Sequence, residues 1–178
     1  MNFHTYPGTA TRTLHDRVPV WDFAPGPNSY SRFVTHDTHA PPLTVEGWLQ
    51  PYRWADRHTP DNPRFDGIHV HVGHLGNSRN IVASLVRRDG GHKIATELGW
   101  RGYHSHVSAR GGPELVIGRT YLYRLHWAHD RIVTTVWNEV GTWTQDGPIQ
   151  PAWAMPGGHV GLRLDNLHVR GELTIRER

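Results

Sequence analysis

The sequence predicts an all-β protein, a two-sheet antiparallel β-sandwich with almost no helix. Apolar and polar residues alternate with period two along most of the chain, the mark of strands with one buried face. Turn residues break that alternation at short intervals, as they do in sandwiches and barrels. No window of a dozen residues keeps apolar positions at i, i+3, i+4 and i+7, so no amphipathic helix is expected.

In chain order, residues 1–16 are polar, rich in Thr and His and broken by Pro7-Gly8. They predict an N-terminal arm ahead of a sandwich spanning 17–178. Eleven strands are expected, at 18–23, 30–35, 43–50, 67–73, 80–87, 93–98, 103–108, 121–127, 132–137, 160–164 and 169–175. The best defined is a hairpin. Tyr121, Tyr123, Leu125 and Trp127 alternate with Leu122, Arg124 and His126. After a turn at His129-Asp130, Ile132, Thr134 and Val136 alternate with Val133, Thr135 and Trp137. A second pair closes the chain through a turn at Asn166. Two longer connections, 51–66 and 142–157, carry Trp54, Trp143 and Trp153, which either rim a binding face or plug the ends of the sandwich.

Bulk properties exclude several functions. The 178 residues can bury a core without staples. With no cysteine, disulfides, thiol catalysis and Cys-based zinc sites are ruled out. The formal charge is +3, and of the 19 Lys and Arg all but Lys93 are arginine, scattered without a cluster. A nucleic-acid partner is therefore not expected. Neither a signal peptide nor a membrane span is read, which makes the cytoplasm the default compartment. No cofactor is expected. Fifteen histidines make the charge pH-dependent near neutrality.

Four kinds of chemistry are written in the residues. His69 and His71 in GIHVHVGH share one face of a strand, with Cα atoms about 7 Å apart. His104 and His106 repeat the pattern and His126 could be a third metal ligand. Glu46 and Glu139 are a carboxylate pair that neighbouring strands could bring together for hydrolysis. Asp146 and Asp165-Asn166 are candidate calcium ligands, although Asp-Asn is also a turn signal. The polar alternates taken together, Glu46, Trp48, His69, His71, Arg124, His126, Trp137 and Glu139, form a carbohydrate-binding kit. Indoles stack on sugar rings while Arg, His and Glu satisfy hydroxyls.

The hairpin RTYLYRLHWAHDRIVTTVWN, followed by GGHVGLRLDN and a terminal strand, resembles the closing half of concanavalin A-like lectin and glucanase jelly rolls. VEGWLQPYRW at 45–54 resembles their early strand, so the resemblance covers about 18–176. It implies two stacked sheets, with a glycan or a protein as partner. The superfamily's glucanases carry an E-x-D-x-x-E strand, absent here, which points away from hydrolysis. The expected protein is a non-enzymatic module of the LamG-like kind found in bacteriophage minor tail or capsid decoration proteins. It would be made in the host cytoplasm and carried in the virion, against other virion proteins or further copies of itself. A cross-strand glycoside hydrolase and a cupin-like metal protein are the alternatives.

Overall fold

A computed structural model describes residues 3–26, 30–56, 66–76, 79–88, 91–100 and 103–177, with backbone alone for 4, 6, 30, 88, 98–100, 103–109 and 152. It is a β-sandwich of two seven-stranded antiparallel sheets, with no α-helix among the described residues. The first sheet runs β1 (Phe3–Tyr6), β4 (Tyr30–His39), β13 (Gly158–Asp165), β6 (Asp66–His74), β7 (Arg79–Arg88), β8 (Gly91–Trp100) and β9 (Tyr103–Gly111). The second runs β12 (Thr142–Pro148), β11 (Arg131–Trp137), β10 (Tyr121–Trp127), β5 (Leu43–Trp54), β14 (Leu167–Glu177), β3 (Val18–Pro25) and β2 (Gly8–His15).

Alternation decides which side chains meet between the sheets. Ile68, Val70 and Val72 of β6 and Ile81, Ala83 and Leu85 of β7 face Leu43, Val45 and Leu49 of β5 and Tyr121, Tyr123, Leu125 and Trp127 of β10 in one core. The turn between β13 and β14 is made by Asn166 at φ 59°, a left-handed conformation that Asn tolerates. Its side-chain amide donates to Asp66 Oδ1, 3.2 Å away. Asp165 is occupied by Arg163 and His69, so this pair serves as a turn rather than as calcium ligands.

Two expectations from sequence are corrected. The segment read as an arm forms two edge strands. β1 pairs with β4 in the first sheet and β2 with β3 in the second, so residues 3–15 clasp both layers. Phe3 sets its ring edge-on against Trp21 at 5.1 Å and Phe23 at 5.4 Å, apolar contacts that the polar local composition concealed. The 142–157 connection holds a full strand, β12, paired with β11, and a 3-10 turn at Pro151–Trp153. Trp54, Trp143 and Trp153 are partly buried and pack against the core. At that edge the Arg110 guanidinium donates to the Thr144 carbonyl, 2.8 Å away, tying β9 to β12.

Candidate functional site

The second sheet has an exposed outer face with aromatic rows. Its register makes Leu122 of β10 the direct neighbour of both Trp137 on β11 and Trp48 on β5. Because their parity is opposite to that of the buried Tyr121 and Tyr123, these three side chains point away from the core. They form an apolar stripe across three strands, about 10 Å long at 4.8 Å per spacing. Leu122 is 37% exposed. The next row is Thr135, Arg124 and Glu46, and the one after is Val133, His126 and Thr44.

Charge borders the stripe. The Arg124 guanidinium lies 5.9 Å from the centre of the Trp137 ring, and its Nε is 3.3 Å from Glu46 Oε2. Arg176 engages the other Glu46 oxygen. Two guanidiniums on one carboxylate leave the patch with a net positive charge. Arg124 is largely exposed, so its pair with Glu46 contributes little to stability. His126 Nδ1 sits 3.2 Å from the Thr44 hydroxyl. Trp48, Trp137, Glu46, Arg124 and His126 thus lie on one face of the second sheet. Leu122 and Arg176 were not foreseen: Leu122 shares their parity, whereas Arg176 needed the β5–β14 register, in which it pairs with Thr44.

His69 and His71 are not part of that surface. They lie on the outer face of the first sheet, on the opposite side of the sandwich. Every residue of β6 is buried, and the outward half of the strand is polar. His69 Nδ1 is 2.7 Å from Ser84 Oγ and its Nε2 is 3.1 Å from Asp165 Oδ2. Asp165 also accepts two bonds from Arg163, at 2.9 and 2.8 Å. Burial alone would raise the Asp165 pKa, but His69 and then Arg163 carry it below the ordinary carboxylate value. Ser84, His69 and Asp165 have the connectivity of a hydrolytic triad, yet Ser84 has no exposed surface to meet a substrate.

The metal reading does not assemble. Both His69 nitrogens are taken, His126 is on the other sheet, and the side chains of His104 and His106 lie outside the described residues. Among the described residues no three His, Asp or Glu are placed to hold an ion. His71 is buried with no hydrogen-bond partner for either ring nitrogen among the described residues. Burial, then the neighbouring His74 and Arg32, hold its pKa well below the usual value, and burial takes that of His74 down to about 4. The carboxylate pair does not assemble either. Glu139 lies in the turn after β11, bound to Arg119 at 2.7 Å, while Glu46 sits mid-strand on β5 under its two arginines. Two strands and four residues apart is roughly 16 Å, beyond the 5–9.5 Å of glycosidase pairs.

These features define a two-sheet jelly-roll sandwich with a mixed apolar and charged outer face on its second sheet. No family model and no curated protein matches the chain by sequence. Solved structures do match in fold. The carbohydrate-binding module CBM66 from Bacillus subtilis superposes with a TM-score of 0.72 at 11% identity, over 99% of this chain and 96% of that one. Lectin II from Ulex europaeus gives 0.67 at 7%, covering 99% and 93%. A toad ovary galectin in complex with thio-digalactose gives 0.55 at 16%, covering 84% and 99%. The chain therefore has the concanavalin A-like and galectin-like sandwich fold that its closing strands resembled.

Proposed function

We propose that the protein is a non-enzymatic carbohydrate-binding module that takes a glycan on the outer face of its second sheet. The observation that carries this reading is the row Trp137, Leu122 and Trp48, flanked by Arg124 and Glu46, on strands whose other faces are fully buried. Indole faces and a leucine offer the apolar surface that pyranose C–H groups seek, while the charged row offers donors and acceptors to hydroxyls. The fold neighbours named for carbohydrate binding support the reading. The test is a glycan array probed with the purified protein, Trp48→Ala, Trp137→Ala and the double variant. Retention of specific glycans by the parent, lost in the folded double variant, supports it. A parent that retains none, or a double variant that retains them all, overturns it.

The setting we infer for this module is a bacteriophage virion, as a minor tail or decoration protein that meets host glycans or neighbouring virion proteins. Support comes from the likeness of its closing strands to a superfamily that includes LamG-like domains of bacteriophage tail proteins, and from an arginine-dominated composition suited to a GC-rich genome. Neighbouring genes for tail or capsid proteins, and the chain itself in purified particles, are the expected findings; a neighbourhood of sugar transporters overturns this setting.

A further inference from the structure

The other end of the same outer face holds a groove that the aromatic stripe does not explain. It lies open to solvent over β2, β3, β14 and β5 with a volume of about 430 Å³, within the range of roughly 300–1,000 Å³ of small-molecule sites. Apart from Ala24, its walls are polar: Thr11 and its two neighbours of like parity on β2, Asp22 on β3, His168 on β14, and Tyr52 with Arg53 on β5.

A backbone irregularity builds it. In the β5–β14 ladder His168 pairs with Arg53 and Val169 with Pro51, which leaves Tyr52 as the extra residue of a β-bulge. Pro51 and Trp54 keep to the core side, so the bulge presents two successive side chains, Tyr52 and Arg53, on the outer face. Bulges re-aim side chains beside functional sites more often than elsewhere.

The groups so gathered are already oriented. Tyr52 donates its hydroxyl to Asp22 Oδ1 at 2.8 Å, and the Arg170 guanidinium lies 5.8 Å from the centre of the Tyr52 ring. Arg53 Nη2 is 2.9 Å from His168 Nε2. A guanidinium can only donate, so Nε2 accepts and the imidazole is neutral with its proton on Nδ1. Threonine and tyrosine hydroxyls both donate and accept, Asp22 accepts, and Arg53 and His168 donate. This mixture suits a ligand whose own groups do both. A phosphate or carboxylate would use the donors alone and leave the acceptors, Asp22 among them, unmatched.

We propose that this groove is a hydroxyl-recognising subsite for a sugar residue, and that the outer face of the second sheet is one extended track holding a glycan chain from Trp137 to Asp22. This rests on the carbohydrate-binding reading. From β11 to β3 are four strand spacings, roughly 19 Å. The track runs obliquely, along β5 from Trp48 past Gln50 to Tyr52. Its middle is polar, with Arg170 donating to Gln50 at 2.7 Å. The ligand class is therefore a neutral oligosaccharide of roughly four or five units, bound along its length.

The experiment titrates the full chain with length ladders of neutral oligosaccharides, from one to six units of cello-, laminari-, malto-, chito- and fructo-series, by NMR. Indole N–H signals of Trp48 and Trp137 report the stripe; ring signals of Tyr52 and His168 report the groove. In the series that binds, short members move the indoles alone, longer members move both sets, and affinity rises with length. Asp22→Asn then lowers affinity about tenfold for the long members, as for one hydrogen bond to a charged group, and leaves the short ones and thermal stability unchanged. If the indoles respond at every length while Tyr52 and His168 never do, the track is wrong and the stripe stands. If no series moves either set, both fall.

Discussion

His69 Nε2 stands 3.1 Å from Asp165 Oδ2, and this contact is the centre of a buried polar chain running from Arg163 through Asp165 and His69 to Ser84. It links β13, β6 and β7 on the side of the first sheet away from the apolar core. Removing Asp165 takes the partner from the buried His69 Nε2, which costs more than the pair itself contributes. Asp165→Ala is expected to destabilise the protein by about 3–5 kcal/mol, measured by urea unfolding at neutral pH. The folded Asp165 pKa is depressed, so its contribution is present above about pH 4, its unfolded value, and is lost as pH falls through the folded value. A loss below about 1 kcal/mol would mean that this network is solvated.

The histidines beside that chain give an acid response of the opposite origin. His71 and His74 have folded pKa values below the ordinary 6.5, His74 at about 4. The unfolded chain takes up protons at these sites as pH drops through about 6.5 while the folded chain refuses them. Stability is therefore full above that pH, declines below it, and levels off for His74 near pH 4. Thermal melts across pH 4–8 should show the midpoint falling on the acid side of neutrality. In His71→Phe the slope should shrink. Stability at pH 8 should also rise, because two buried nitrogens without partners among the described residues are replaced by a ring of similar shape. A destabilised His71→Phe would show that those nitrogens are satisfied in solution.

Tyr123 offers a parallel case in the inter-sheet core. It is 1% exposed and its hydroxyl has no hydrogen-bond partner among the described residues. Burial pushes its pKa up. Tyr123→Phe keeps the ring and removes the stranded hydroxyl, and is expected to be neutral or stabilising by about 1 kcal/mol. Tyr121 is the control, since its hydroxyl donates to the Glu114 carbonyl and accepts from the Val116 N–H at 2.8 Å. Tyr121→Phe is expected to cost about 1–2 kcal/mol, as two satisfied backbone groups lose their partner.

The β10–β11 hairpin and the β13–β14 turn were legible because their signals are local: period-two alternation, and an Asx residue where φ is positive. The same alternation told which residues share a face of a strand. It could not assign strands to sheets, because that depends on pairings between distant segments such as β13 with β6. Only the register sets His69 and His71 on the side of the sandwich opposite Trp48 and Trp137. β1 and β2 were illegible for a related reason: their partners, β4 and β3, supply the apolar contacts that their own sequence lacks. The Tyr52 bulge exists only in the β5–β14 pairing, so no reading of β5 alone reveals it.

Trp137 and Trp127 separate recognition from packing within one hairpin. They lie on adjacent strands, but Trp127 has the parity of Tyr123 and is 1% exposed, whereas Trp137 faces outward beneath Arg124. Trp127 helps enclose Gly73 together with Met155, so truncation there opens a cavity in a packed core. Trp127→Ala is expected to cost about 3–5 kcal/mol. Trp137→Ala removes one ring and one cation contact from a solvated surface, which should cost about 1 kcal/mol or less. A chain that uses Trp137 for recognition therefore tolerates Trp137→Ala as a fold while losing glycan binding, and Trp127→Ala impairs both together. Urea unfolding of the two variants, read beside the glycan array, decides the matter. If Trp137→Ala unfolds as readily as Trp127→Ala, the outward indole is a packing element and the aromatic stripe loses its role in binding.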